Sequence, residues 1–233
     1  MVETGTPGNP NPPGNSEHSG NSKDAGHPGG SGVPWNRRAE RIGLRDLVNA
    51  KTYIDPSRRV TARQWDAVCQ CIQKKLRGDE ARGLDFYCGS GAFTADLAEM
   101  IGGEVLGIDS SLPLIHEATS GPNLRFVPTP DGRVPASNRS IDVVMANHAL
   151  SGLRARLLRR AVEEIGRVLK PGGLLVLIED TAELPDTEHR VYRAPSEYVR
   201  LFPQVKLRSM NKPKAQRPRL SVMIGRMMAD EAG

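Results

Sequence analysis

Four short runs of apolar residues constrain the fold of this chain most strongly. They are Leu84 to Cys88, Val105 to Ile108, Ile141 to Ala146 and Leu174 to Ile178. Each run is too short for a buried helix and is apolar without alternation, as in strands that are covered on both faces. Stretches with helical spacing lie between them, at Ala92 to Ile101 and Leu153 to Leu169. This order predicts an α/β fold with a doubly wound, mainly parallel sheet, whose ligand lies beyond the carboxyl ends of the strands.

Two helices show an apolar face in the sequence. The first is predicted to follow Thr61, because Thr61 and Gln64 match a capping box, and to end near Gly78. Its apolar face consists of Trp65, Val68, Cys69, Ile72 and Leu76, so Cys69 and Cys71 are interpreted as packing residues. The apolar face of the later helix consists of Leu153, Leu157, Leu158, Ala161, Ile165 and Val168. We expect Pro171-Gly172-Gly173 to end that helix.

Composition divides the 233 residues unevenly. Residues 1 to 33 contain eight Gly, five Pro, four Asn and four Ser, which cannot bury enough apolar area to offset chain entropy, so we predict a disordered tail. Residues 34 to 60 form a lead-in segment, and residues 61 to 233 are predicted to form one domain. The net charge of +5 favours anionic partners without indicating a chemistry.

The chain lacks the signals of several other classes. No window approaches the roughly 18 apolar residues of a membrane-spanning helix, and no secretory signal is visible, so we expect a cytoplasmic protein that does not enter a membrane. The three cysteines have no CxxC spacing, so we expect neither disulfides nor a metal site.

A glycine turn after the first apolar run is the strongest local signal. Asp85 lies in that run, and Tyr87-Cys88-Gly89-Ser90-Gly91 leads into a helix whose free amides can face a ligand. Asp109 follows Gly91 by 18 residues, close to the spacing at which an acid binds ribose hydroxyls. A dinucleotide fold would place a glycine at Thr94, which makes NAD the weaker choice of cofactor.

Two segments resemble one family. Leu84 to Gly91 is similar to motif I of the class I S-adenosylmethionine (SAM) dependent methyltransferases, and Glu164 to Gly173 is similar to the EIxRVLKPGG segment before that family's fifth strand. The type with this segment is methyltransferase type 11-like. The resemblance implies a Rossmann-like, seven-stranded sheet in which strand six is parallel and strand seven antiparallel, closed by a hairpin from Val205 to Ser209 and Leu220 to Gly225.

The same resemblance implies SAM as the cofactor and assigns residues to its parts. Asp85 and the loop of Tyr87, Cys88, Gly89, Ser90 and Gly91 would contact the amino-acid end. Asp109, with Ser110, would hold the ribose. Asp131, Ala146 and Asn147 would surround the adenine.

The sequence departs from the family pattern at three places. Tyr87 replaces the first glycine of motif I, as a similar Tyr-Cys-Gly does in RNA uracil-5 methyltransferases, and we expect its ring to line or narrow the methionine end of the pocket. Those enzymes also need a downstream cysteine, which this chain lacks after Cys88. The adenine-contacting acid falls at Pro130, one residue before Asp131. Ala146-Asn147-His148-Ala149 lacks the Asn-Pro-Pro-Tyr of enzymes that methylate base amino groups.

His148 is the candidate catalytic residue, because it follows the fourth strand where the methyl group should project and could act as a general base. A packed or solvated histidine is the alternative, and His189 is a second candidate. Seven cations and no acids lie between Val205 and Arg226, and four of them lie in the predicted connection Met210 to Arg219. They favour a small anionic acceptor, with RNA as the next possibility and a solvated loop as the alternative. A catalytically silent SAM-fold binding or scaffold protein is the rival from another class; the sequence leaves the oligomeric state open.

Overall fold

A computed structural model describes residues 62–76, 80–187, 190–210 and 219–229. The predicted tail, the lead-in segment, Thr61 and the predicted helix terminator Gly78 lie outside these residues, so the predictions for them stay predictions. The described helices include none that is long and apolar enough to cross a membrane.

Seven strands of the described residues form one sheet in the order β3-β2-β1-β4-β5-β7-β6. The strands are β1 (Arg82–Phe86), β2 (Glu104–Asp109), β3 (Leu124–Pro128), β4 (Ile141–Asn147), β5 (Leu169–Asp180), β6 (Arg208–Ser209) and β7 (Leu220–Arg226). The first five pair in parallel, and β7 runs antiparallel to both β5 and β6. Strand β6 is therefore parallel to β5, and the predicted doubly wound, Rossmann-like sheet is confirmed.

Five α-helices and one 3-10 turn are described around the sheet. They are α1 (Ala62–Gln73), α2 (Ala92–Ile101), α3 (Leu112–Glu117), the 3-10 turn Leu150–Gly152, α4 (Ala155–Val168) and α5 (Pro195–Leu201). The strand order reverses between β1 and β4, because β2 and β3 lie on one side of β1, whereas β4 and β5 lie on the other side. A crevice at this switch point is where open α/β sheets bind ligands.

The sheet buries apolar side chains on both faces, which explains the absence of alternation in the sequence. Val143 and Met145 of β4 pack into the core beside α1 and α2, whereas Val144 and Ala146 of the same strand pack into the core beside α4 and α5. The predicted face of α1 is confirmed by Trp65, Val68, Cys69 and Ile72, all of which are buried. Cys69 and Cys71 form no disulfide.

Three local predictions need correction. Helix α4 ends at Val168, before Pro171-Gly172-Gly173, and those three residues lie inside β5, where the pairing with β4 is irregular and Gly172 has φ 76°. Leu157, expected on the buried stripe of α4, is 42% exposed and lies in the first turn of that helix. The predicted strand from Val205 to Ser209 is regular only at Arg208–Ser209, and Val205 makes an isolated bridge to Met227.

Candidate functional site

The glycine loop closes tightly at the carboxyl end of β1. The Cys88 amide donates to the Ile108 carbonyl at 2.8 Å and the Gly91 amide donates to the Cys88 carbonyl at 3.0 Å. The left-handed region is occupied by Tyr87 at φ 59°, Gly89 at φ 58° and Gly91 at φ 83°. Tyrosine reaches this region only at a cost of about 1–2 kcal/mol, so the loop holds strained backbone of the kind that clusters at functional sites.

The two glycines of the loop serve different purposes. A β-carbon on Gly89 would meet no atom within 4 Å, so the backbone there is open to a ligand. A β-carbon on Gly91 would lie 2.5 Å from Cε1 of Phe126, and one on Gly107 would lie 2.6 Å from Cδ1 of the same ring. The absence of a side chain at Gly91 and Gly107 therefore leaves room for the Phe126 ring, which packs against the loop from β3.

Asp85 is buried behind the loop. Thr94 in the first turn of α2 donates a hydrogen bond from Oγ1 to Asp85 Oδ2 at 2.7 Å. The hydroxyl that replaces the third glycine of a dinucleotide fingerprint thus ties α2 to β1. Helix α2 begins directly after the loop, so its positive end faces the loop. Gly91 has no side chain that could cap the free amides of this helix.

Asp109 ends β2 and joins the loop to the next strand. Its Oδ2 accepts a hydrogen bond from the Gly89 amide at 2.9 Å, and its Oδ1 accepts one from the Ser111 amide at 2.8 Å. Each carboxylate oxygen can accept a second bond, so this fixed carboxylate can still bind the two hydroxyls of a ribose. The side chain is positioned before any ligand arrives.

A cavity of about 450 Å³ lies at the carboxyl edge of the sheet. Its volume is within the range of small-molecule sites. The lining residues come from the ends of β1, β2 and β4 and from the start of α4: Tyr87, Asp109, Ser110, Pro130, His148, Ala149, Gly152, Leu153 and Leu157. Four of the predicted site residues, Tyr87, Asp109, Ser110 and His148, are therefore brought together.

Tyr87 lines this cavity together with Asp109 and Ser110. A β-carbon on Gly132, in the loop after β3, would lie 3.7 Å from the Tyr87 hydroxyl oxygen. Burial of the ring and the negative charge of Asp109 raise the pKa of the phenol, so it remains a neutral hydroxyl. The ring lies beside Asp109 and Ser110, and its predicted contact with the methionine end of SAM stays a prediction.

His148 lines the same cavity as Tyr87. It is a second non-glycine residue in the left-handed region, at φ 52°, and its amide extends the β4–β5 pairing by donating to the Ile178 carbonyl at 2.7 Å. Beneath it, Ala146 is fully buried and Asn147 is half-buried. Asn147 Oδ1 is buried and has no hydrogen-bond partner within the described part of the chain.

The other predicted residues lie at the margin of the cavity. Cys88 and Ser90 are half-buried in the loop, and burial together with the charges of Asp85 and Asp109 raises the pKa of the Cys88 thiol, so it is no nucleophile. Asp131 is exposed; it accepts the Arg133 amide at 3.1 Å and lies 4.0 Å from Arg160. Pro130, at the expected adenine position, lines the cavity itself.

Sequence reasoning missed the apolar rim formed by Ala149, Leu153 and Leu157. The only available signal was the position of these residues immediately after the β4 terminus, because their spacing is the same as that of core residues. His189 and residues 211–218 of the predicted basic connection lie outside the described residues. Among the described residues, no group of His, Cys, Asp and Glu could hold a metal ion.

The EIxRVLKPGG segment lies away from the cavity and has a structural role. Glu164 accepts the Val134 amide at 2.7 Å and pairs with Arg167 at 2.8 Å. Arg167 also donates to the carbonyls of Val134 and Ala136 and to Asn138. These bonds fasten the β3–β4 loop to α4, and the ion pair lowers the pKa of Glu164.

Comparisons with known proteins agree with this geometry. A family model described as a methyltransferase domain matches residues 84–173. Demethylmenaquinone methyltransferase of Staphylococcus aureus is 34% identical over 104 residues, which are 42% of this chain. The chain covers 42% of the length of that relative.

Solved structures share the fold. The YcgJ protein of Bacillus subtilis has a TM-score of 0.57 at 18% identity, over 70% of this chain and 99% of that one. A SAM-dependent methyltransferase of Methanosarcina mazei has a TM-score of 0.55 at 21% identity, over 69% of this chain and 98% of that one. One from Aquifex aeolicus has a TM-score of 0.55 at 19% identity, over 82% and 98%.

The methyl donor of the class I methyltransferases is SAM, and the residues present fit it, because a fixed carboxylate faces the cavity and the backbone at Gly89 is open. The motif I loop and all the residues that line the cavity lie within the matched residues 84–173. Residues 84–173 therefore match a methyltransferase domain, and the chain is similar in sequence to a methyltransferase and in fold to SAM-dependent methyltransferases.

Proposed function

We propose that the protein transfers a methyl group from SAM to a small molecule that enters the carboxyl-edge cavity. The observation that carries this proposal is the meeting of Asp109, Tyr87 and His148 in one cavity at the switch point of the sheet. Two of these three residues, Tyr87 and His148, have a left-handed backbone. Such strain persists where a site needs particular side-chain positions.

The residues divide the work between cofactor and acceptor. Asp109 accepts the ribose hydroxyls, the open backbone at Gly89 and the end of α2 receive the amino-acid portion, and Asn147 Oδ1 accepts a donor from the adenine side. When bound, SAM supplies a methyl group on a positively charged sulfur, and transfer to an aligned acceptor removes that charge. The chain contributes mainly alignment and exclusion of water.

His148 is proposed as the general base for an acceptor that loses a proton. It lies on the acceptor side, next to a rim of Ala149, Leu153 and Leu157 that suits an apolar ring or chain. The related enzyme from Staphylococcus aureus acts, by its name, on a demethylmenaquinone, which is a small molecule. The anionic character expected of the acceptor depends on the basic connection, whose residues 211–218 are outside the described residues.

Labelled SAM and a cell extract test the proposal. We expect label to pass a small-molecule filter and to survive nuclease digestion. Label retained in intact RNA would replace the small acceptor by RNA. Binding of S-adenosylhomocysteine without transfer to any fraction would favour the silent scaffold.

A histidine pair tests the proposed base. His148→Gln should lower the transfer rate by about a hundredfold or more, the scale of general-base catalysis. His116→Gln, on the exposed side of α3, is the matched control and should act at the parent rate. Equal rates for the parent and His148→Gln would show that alignment alone suffices.

A further inference from the structure

Glu179, near the end of β5, is a fully buried carboxylate outside the recognised motifs. Its Oε1 accepts the Leu150 amide at 2.7 Å and its Oε2 accepts the Ser151 amide at 3.1 Å. These amides belong to the 3-10 turn Leu150–Gly152. A buried charge is costly unless it is hydrogen-bonded, so this carboxylate depends on the turn as much as the turn depends on it.

The same turn is held from its carbonyl side. Arg193 donates to the carbonyls of Leu150 and Leu153, each at 3.0 Å. The Val191 amide donates to the Ser151 carbonyl at 2.8 Å. The Glu179 carboxylate therefore binds the amides of the turn, and the Arg193 guanidinium binds its carbonyls.

The residues at both ends of this turn line the cavity. His148 and Ala149 precede it, and Gly152 and Leu153 end it. His148 also keeps a left-handed backbone, which must be held by its surroundings. Releasing the amides of Leu150 and Ser151 would free the chain on which His148 and the apolar rim are carried.

We propose that Glu179 is a positioning residue for methyl transfer, because its carboxylate fixes the 150–152 turn and thereby the placement of His148 and Leu153 in the acceptor half of the cavity. This rests on the proposed function for its link to the reaction. The hold on the turn is a property of the chain itself and can be measured without a methyl acceptor.

Protonation weakens this hold. The ionised carboxylate accepts with both oxygens, whereas the protonated form has turned one of them into a donor. Burial raises the pKa of Glu179 to about 7, against the opposing effect of the two amides. The groups that face Glu179 come from every element around it. Two are on neighbouring segments, Arg190 after β5 and Tyr198 on α5. The others are Asp180 beside it on β5, Arg193 across the turn and the uncharged Ser221 paired with it on β7.

Hydrogen exchange of the Leu150 and Ser151 amides tests the hold directly. In the parent, protection of these two amides should rise between pH 6 and pH 8. Glu179→Gln should lower it by about ten- to a hundredfold at pH 8, because one amide loses a charged acceptor, and should remove the pH dependence. Glu179→Asp, which keeps the charge but is one methylene shorter, should also lose protection.

Glu164→Gln is the matched control, because Glu164 is another buried glutamate that accepts a loop amide, from Val134. It should leave protection at Leu150 and Ser151 at the parent level. His148→Gln should retain the pH dependence of that protection. If Glu179→Gln protects the turn as the parent does, or if His148→Gln abolishes the pH dependence, the proposal is wrong.

Two further readouts separate this proposal from the proposed function. Glu179→Gln should bind S-adenosylhomocysteine within about threefold of the parent, since Asp109 and the glycine loop are untouched, but should transfer methyl groups to the extract at least about tenfold more slowly. A Glu179→Gln protein that loses protection yet transfers at the parent rate overturns the positioning role. A parent that neither binds S-adenosylhomocysteine nor transfers label rejects the proposed function, and the exchange data then stand on their own for the hold on the turn.

Discussion

The fold uses two buried glutamates differently: Glu164 lies near the amino ends of the strands, and Glu179 lies near their carboxyl ends. Glu164 supports the β3–β4 loop and lies against the Arg167 guanidinium, which lowers its pKa. Glu179 supports the turn beside the cavity, and burial raises its pKa. The first arrangement locks a loop at any physiological pH. The second leaves a loop whose anchoring responds to pH, at the place where an acceptor must enter.

The first test of this comparison removes the Arg167 guanidinium. Arg167→Ala leaves the Glu164 carboxylate without its ion pair and three loop acceptors without donors. We expect the free energy of unfolding in urea to fall by about 3–5 kcal/mol. Arg160→Ala, an exposed arginine 4.0 Å from Asp131, is the control and should cost at most about 1 kcal/mol. Equal losses for the two variants would mean that the cluster does not fasten the loop.

The second test follows stability against pH. Opening of the 150–152 turn leaves Glu179 buried and releases only its two amide bonds, which favour the ionised carboxylate, whereas unfolding of the whole domain transfers Glu179 to water. Because burial raises the folded-state pKa of Glu179, its contribution to global stability is full below about pH 4.5 and is lost as pH rises through about 7. The parent should therefore lose about 3 kcal/mol relative to Glu179→Gln between pH 4.5 and pH 8. Urea unfolding of both proteins across that range measures the difference.

Glu164 should give the opposite sign. Its folded-state pKa is lowered, so its contribution is present above the unfolded pKa and is lost as pH falls through the folded value. The parent should lose stability relative to Glu164→Gln only in acid. If both glutamates gave curves of the same sign, the contrast between them would be wrong.

The smallest expected effect concerns strain at the cavity. Tyr87→Gly and Tyr87→Ala remove the same ring, but only glycine accepts φ 59° without cost. Tyr87→Gly should therefore be more stable to urea than Tyr87→Ala by about 1 kcal/mol. On the exposed face of α2 the order should reverse, with Glu99→Gly less stable than Glu99→Ala by about the same amount. A Tyr87 pair that follows the Glu99 order would remove the argument from strain.

The sequence predicted the sheet well because strands covered on both faces carry their signal locally. Leu84, Val144 and Val176 are fully buried, as continuous apolar runs require. Leu157 was misplaced because helical spacing does not distinguish a core residue from an exposed one in the first turn of a helix. Strand β6 is shorter than predicted, because its length depends on where it can pair with β7, which its own residues do not show.

The site was predictable where a motif fixes chemistry and unpredictable where it depends on packing. Asp109 and His148 could be placed from their positions after β2 and β4. Tyr87 has a left-handed backbone and its hydroxyl lies near Gly132, 45 residues further along the chain, so the direction of its ring could not be predicted from motif I. Glu179 gave no signal, because its partners are backbone amides of a turn that the sequence does not mark.

The most direct test of the central claim is a calorimetric titration with S-adenosylhomocysteine. The parent should bind it, and Asp109→Asn should bind about tenfold more weakly, because an amide offers one acceptor and no charge. Glu104→Gln, at an exposed carboxylate on the opposite end of β2 that does not line the cavity, is the control and should bind as the parent does. Binding that is as tight in Asp109→Asn as in the parent would contradict the placement of the cofactor at the end of β2.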